Sequence, residues 1–142
     1  MLLAVPLFLV GASRLTLSVV IAGLGRIGCG YDLAKPDGVQ PMTHIGAVLS
    51  DQRFRLAGAA DPDAERRQLC QSAWPEVEVV EDIYALIERA GADIVCIATP
   101  PAVRRDLVVS AIQAGARLIF CEKPLALTLE DAEWITAYCA SK

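Results

Sequence analysis

From Thr16 onward the chain alternates between two hydrophobic patterns. Short, nearly continuous apolar runs rich in Val, Ile and Ala read as strands covered on both faces, whereas apolar residues recurring every three or four positions read as helices packed along one side. LTLSVVIAG, FRLAGAA, VEVV, ADIVCIATP and RLIFCE are the five strand candidates. The helical segments between them carry start and stop signals. PDAERRQLCQSA opens with Pro62 and acidic residues after Asp61, which suits a first turn where free N–H groups favour negative charge. DIYALIERAG places Ile83, Leu86 and Ile87 on one face and stops at Gly91, and PAVRRDLVVSAIQAG repeats the plan up to Gly115. TLEDAEWITAYCASK begins at Thr128, a capping residue type, with acids in its first turn. The alternation predicts parallel strands joined by right-handed crossovers, an α/β fold with a doubly wound parallel sheet.

One connection breaks the rhythm. YDLAKPDGVQPMTHIGAVLSDQR, between the first two strands, is longer than a plain crossover, and its middle, KPDGVQP, is turn chemistry. The expected layout is a short helix after Gly25, a loop near 35–42 and a second helix from Thr43 to about Asp51. Ahead of the first strand, MLLAVPLFLVGAS has the apolar run and small residues of a secretory signal but no basic start. It is also shorter than the ~20 apolar residues that cross a bilayer as a helix. Residues 1–13 therefore read as an N-terminal extension, either inert or the product of an early start codon, with a signal peptide as the other reading; the domain spans 14–142.

A length of 142 residues suits one domain with a sizeable core. Thirteen basic against seventeen acidic residues give a formal charge of -4 with no basic run. A nucleic-acid or anionic membrane surface has no electrostatic support, and a small ligand fits better. Cys29, Cys70, Cys96, Cys121 and Cys139 are odd in number and lack CxxC or Cys/His spacing. That argues against a disulfide framework and against a metal site, and reduced thiols in a cytoplasm are the simplest reading.

The chemistry-bearing motifs fall at strand ends. Gly23-Leu24-Gly25-Arg26-Ile27-Gly28 is a GxGxxG directly after the first strand, the context in which that pattern marks dinucleotide binding. Gly23 would allow the tight turn, Gly25 the approach of a diphosphate to the backbone, and Gly28 close packing of helix on strand, with the helix N-terminus supplying free N–H donors. Asp61, ending the second strand, is the acid expected to accept from the adenosine ribose hydroxyls. Such an acid favours NAD over NADP, although Arg66 and Arg67 nearby leave NADP open. Thr99 and Pro100 end the fourth strand at the edge where open α/β sheets hold ligands. The fifth strand delivers Glu122 and Lys123 to the same edge. From physics alone this pair serves equally as a surface ion pair or as a donor orienting substrate beside the coenzyme.

GLGRIG, AADPD, IATPP and FCEKPLA, in this order and spacing, strongly resemble the N-terminal half of the Gfo/Idh/MocA oxidoreductase family over Leu15 to Lys142. Glu-Lys-Pro after the fifth strand is the most specific element, and GYD…THIGA looks like members with an extended first crossover. The resemblance implies a Rossmann domain binding NAD(P), with hydride transfer to or from a sugar, cyclitol or related polyol. It implies Lys123 as the active-site lysine and Glu122 as a neighbour of the nicotinamide. Two positions depart from the family: Arg104 in TPPAVR and Arg117 in AGAR stand where histidines are common. Family enzymes continue into a second α/β domain that supplies most substrate contacts. The chain is accordingly expected to be a truncated coenzyme domain with little activity alone, the alternative being a stand-alone dinucleotide-binding module or a partner subunit. A bare apolar stripe on the last helix, at Trp134, Ile135 and Tyr138, would imply a missing domain or a homo-oligomer.

Other reactive side chains read as structural. His44, on the helix after the loop, is expected to be a packing or surface histidine. Cys96 and Cys121, inside apolar strands, are expected to be inert, and Trp74 and Trp134 to pack helices.

Overall fold

The structure, a computed structural model, describes residues 16–35 and 40–142, so the extension 1–13, the boundary at Arg14 and part of the 35–42 loop lie outside the described residues. All five expected strands form: β1 (Leu17–Ala22), β2 (Phe54–Ala60), β3 (Val79–Val80), β4 (Ile94–Ile97) and β5 (Leu118–Cys121). They make one sheet in the order β3-β2-β1-β4-β5, parallel throughout. Because side chains alternate along a strand, β1 sends Val19 and Ile21 into one core and Val20 into the other, and β4 divides Ile94 and Cys96 from Val95 and Ile97 in the same way. Both faces are covered, and the buried stretches of β1 from Val19 to Ala22 and of β4 from Ile94 to Ile97 are wholly apolar.

The first core packs beneath α1 (His44–Leu49) and α2 (Ala64–Ala73), and the second beneath α3 (Ile83–Ala90), α4 (Arg104–Gln113) and α5 (Leu129–Ala140). Local signals set most boundaries. Thr43, Asp63, Asp82 and Thr128 each accept a backbone N–H from the first turn of α1, α2, α3 and α5, respectively. Gly91 ends α3 in the left-handed region at φ 49°. Helix α2 starts later than its composition suggests. Asp61 holds the N–H of Asp63, and Asp63 in turn caps Glu65 and Arg66, so Pro62 stays outside the helix.

The short helix expected after Gly25 is only one irregular turn. Cys29 N–H reaches back four residues to Gly25, but Gly30 N–H and Tyr31 N–H reach back five, to Gly25 and Arg26, before a 3-10 turn at Gly30–Asp32. Gly28 and Gly30 remove helix propensity, and Asp32 is engaged elsewhere. Its buried carboxylate accepts from Met42 N–H, Thr43 N–H and the Thr43 hydroxyl, so it clamps the entry to α1. Gly46 is tucked under it, where a Cβ would collide with the carboxylate.

The last helix does not present a bare stripe. Ile135 is buried in the second core, and Trp134 stacks on Tyr138 at 4.9 Å with the Arg105 guanidinium 4.0 Å from its ring centre. Exposed apolar side chains include Phe120 of β5, Leu127 in the loop that follows, and Leu129 at the very start of α5.

At the opposite end of the sheet, Ser18 and Asp93 fix the entry of β1 against β4. Asp93 accepts from Ser18 N–H at 2.9 Å and from its hydroxyl at 2.8 Å, while Asp93 N–H donates back at 3.0 Å. The Ser18 backbone and side-chain hydrogen bonds hold the Asp93 carboxyl below its usual 3.8. A depressed folded-state pKa stabilises fully above the unfolded value and is lost as pH falls through the folded one. Asp93→Asn is expected to cost roughly 1 kcal/mol at neutral pH, allowing for partial exposure. The difference between wild type and variant should start to shrink as pH falls below 3.8 and vanish only below the still lower folded-state value, which urea melts across that range would measure.

Candidate coenzyme site

Chain geometry at the exit of β1 follows from what each glycine must avoid. Gly23 has φ +100°, and a Cβ there would lie 2.8 Å from the Ala98 carbonyl, so the turn is possible only without a side chain. A Cβ on Gly28 would collide with the Gly23 carbonyl. Gly28 therefore lets the loop close on its own start, a more local role than the helix–strand packing expected. Gly25 differs from both: nothing lies within 4 Å of where its Cβ would be. Among the described residues no acceptor meets the N–H groups of Gly25, Arg26, Ile27 or Gly28. Four consecutive free amides beside an open backbone face form a cradle for an anion, and because the following turn is so short, the local N–H groups rather than a helix dipole supply the field.

Asp61 fixes the height of this loop. It is 3% exposed, and its Oδ2 accepts Leu24 N–H at 2.8 Å while Oδ1 accepts Asp63 N–H at 2.9 Å. A carboxylate has about four acceptor positions, so capacity remains for a hydroxyl. The two neighbouring arginines separate. Arg67 is spent on the Asp61 and Pro62 carbonyls and on Glu81. Arg66 is half exposed, with Nη1 3.5 Å from Asp61 and Nε 3.8 Å from Asp63.

Across β1, the ends of β4 and β5 complete the site. Thr99 is buried, and its hydroxyl has no partner among the described residues. An unpaired buried hydroxyl costs about 1–3 kcal/mol, a cost that a hydrogen bond to a ligand or a water would remove. Pro100 is exposed beside it. Arg104, noted in the sequence only as a departure, is 4% exposed and clamps the two strand ends. Its Nε donates to the Thr99 carbonyl at 2.9 Å and Nη2 to the same oxygen at 2.6 Å, while Nη1 donates to the carbonyls of Glu122 and Pro124. A signal for this was present: Arg104, Leu107, Val108 and Ala111 share one buried face of α4 at helical spacing, and an arginine on such a face must find acceptors. Lys123 and Pro124 are joined by a cis peptide bond, and Lys123 projects into solvent.

His44 is not a bystander. Its Nε2 lies 3.0 Å from Glu122 Oε1, and its ring meets Phe120 edge-on at 5.2 Å. The sequence offered no sign of this contact, which spans 78 positions. The other Glu122 oxygen accepts Lys123 N–H at 3.3 Å. The arrangement thus gathers Gly23 to Gly28, Asp61, Thr99, Pro100, Glu122 and Lys123 along one edge of the sheet, with Arg26 and Ile27 exposed at its rim.

The thiols stay out of the chemistry. Desolvation pushes Cys96 up to about 12, helped by the charge of Glu122, and burial also raises Cys121. Cys29 and Cys70 are free thiols buried together, and the hydrogen bond between them raises the pKa of Cys70 and lowers that of Cys29. Among the described residues no three His, Cys, Asp or Glu side chains converge as a metal site would require, and no helix is long and apolar enough to cross a membrane.

Comparison with known proteins identifies the family and the fold. The chain is 33% identical over 113 residues to the D-apiose dehydrogenase of Paraburkholderia graminis, covering 80% of this chain and 28% of that protein. It is 36% identical over 114 residues to the scyllo-inositol 2-dehydrogenase (NAD(+)) of Bacillus subtilis, covering 80% and 29%. The structure of scyllo-inositol dehydrogenase from Lactobacillus casei with bound NAD(H) and scyllo-inositol superimposes with a TM-score of 0.67 at 25% identity, covering 89% of this chain and 33% of that one. The chain therefore spans about a third of the length of the relatives it matches. Residues 17–142 match the GFO_IDH_MocA family, described as an oxidoreductase family with an NAD-binding Rossmann fold, and the chain belongs to that family as its NAD-binding domain.

Proposed function

We propose that the chain is the coenzyme half of a dehydrogenase that moves hydride between NAD and a CH–OH carbon of a sugar, cyclitol or related polyol. The observation that carries this is the open face of Gly25 beside four free amides, set opposite the unpaired Thr99 hydroxyl. Gly25 to Gly28 would cradle the diphosphate, Asp61 would accept from the adenosine ribose, and Thr99 and Pro100 would bound the nicotinamide half. The bound coenzyme supplies the hydride chemistry. Lys123, exposed at the end of β5, would orient the substrate hydroxyl and handle its proton. The apiose and inositol dehydrogenases among the relatives support a polyol as substrate.

Hydride transfer needs the coenzyme ring and substrate held in contact. Since the chain corresponds to about a third of its relatives, it should bind nucleotide with little or no turnover alone. The second reading, a stand-alone dinucleotide-binding module or partner subunit, is favoured by the covered face of α5, which shows a domain able to close its own core there. A homo-oligomer is compatible with either reading. A cytoplasmic location is supported by five unpaired thiols.

Two measurements test the coenzyme site. Gly25→Ala meets no atom of the protein, so its melting temperature should match wild type, while its affinity for NADH in calorimetry should fall at least about tenfold (~1.4 kcal/mol) because the Cβ occupies the diphosphate face. Undiminished affinity would contradict the cradle. Asp61 disfavours a 2′-phosphate and Arg66 is the arginine free to meet one, so NADH should bind more tightly than NADPH. Arg66→Gln should weaken NADPH several-fold and leave NADH nearly unchanged, read by coenzyme fluorescence titration.

A further inference from the structure

His44 touches both halves of the loop system around the coenzyme edge. Its backbone N–H donates to Ile27 O at 3.0 Å, and the next residue, Ile45, donates to Gly28 O at 3.1 Å, so α1 is seated on the glycine loop. Its side chain reaches in the other direction, to Glu122. Neither end can slide freely. Asp32 clamps Met42 and Thr43 at the entry to α1, and the ring of His44 is wedged against Phe120. Glu122 is likewise held, since Arg104 takes its carbonyl and its second carboxylate oxygen accepts Lys123 N–H. Both side chains of the pair are mostly buried, at 14% and 17% exposure, so the contact is shielded from the competition with water that makes exposed pairs weak.

The topology says which half of the coenzyme this contact serves. A dinucleotide lies across the crevice where the connections reverse, here between β1 and β4, with its diphosphate over the end of β1. Asp61, on the β2 side, marks the adenosine end. Glu122, at the end of β5, belongs to the nicotinamide end, and His44 contacts no residue of the adenosine side through its ring.

We propose that His44 is a positioning residue: through Glu122 it fixes the Glu122–Lys123 turn relative to the glycine loop, and so sets the nicotinamide half of the site without governing the adenosine half. This rests on the coenzyme reading above. It assigns a role to a side chain that the sequence marks only as a packing or surface histidine. The juxtaposition depends on the long first crossover: α1 packs on β2 and β1, and His44 at its start reaches the end of β5.

The test uses the whole 142-residue chain and two probes, NADH and ADP-ribose, the second lacking the nicotinamide. His44→Ala should weaken NADH about tenfold and remove the rise in reduced-nicotinamide fluorescence on binding, while ADP-ribose affinity stays within about twofold. His44→Gln, whose amide can donate to Glu122, should recover most of the NADH affinity. If His44 merely props the loop, His44→Ala weakens both probes alike, and that result overturns the proposal; so does an unchanged affinity for both. Should His44→Ala fail to fold, Glu122→Ala removes the same contact from the β5 side and must show the same split between probes, equal losses again overturning the role. Wild type binding neither probe would instead remove the coenzyme reading itself, and this inference with it.

Discussion

A charged group taken out of water must find hydrogen bonds on every side, and three such groups organise the ligand edge of this sheet. Asp32, Asp61 and Arg104 are each almost completely buried. An unsatisfied charge in such a place would cost several kcal/mol. Each therefore gathers backbone groups, and the groups it gathers are the ones that shape the site. Asp61 draws in the amide of Leu24 and sets the glycine loop against β2. Arg104 draws together the carbonyls that end β4 and β5. Asp32 draws in the start of α1. The desolvation demand of the side chain becomes positional precision of the backbone.

The result is a site built in two parts that meet over β1. On the β2 side, the position of the loop is decided locally, by Asp61 and by the steric needs of Gly23 and Gly28. On the β4 and β5 side, Arg104 fixes the strand ends from below and Glu122 is met from the flank by His44. Lys123 has its N–H on the Glu122 carboxylate and its side chain exposed. The free amides of the loop and the unpaired hydroxyl of Thr99 are unsatisfied groups that a folded protein ordinarily avoids. Among the described residues these groups lie together at one edge of the sheet.

Much of this could be read along the chain. Periodicity together with boundary residue types gave the strands and most of the helices, because a parallel sheet covered on both faces leaves short apolar runs bounded by turn residues. Thr43, Gly91 and Thr128 acted as boundaries for the local reasons their residue types carry. The first crossover was less legible. Glycines at 28 and 30 and the pull of Asp32 on α1 reduce the first helix to a single turn, a competition between segments that a local pattern does not contain. The start of α2 slipped for a related reason, since Asp61 had already taken the amide that orients Asp63.

By itself, then, the order of residues determined the sheet, its direction, the glycine turn and the placing of Asp61, Thr99, Glu122 and Lys123 at strand ends, since all of these follow from interactions among near neighbours and from the alternation of faces. Tertiary structure alone decided that Arg104 is a clamp, that Arg66 rather than Arg67 stays available, and that His44 meets Glu122. Those outcomes depend on which distant acceptors lie within about 3 Å of a buried donor, and only the packed chain fixes such distances.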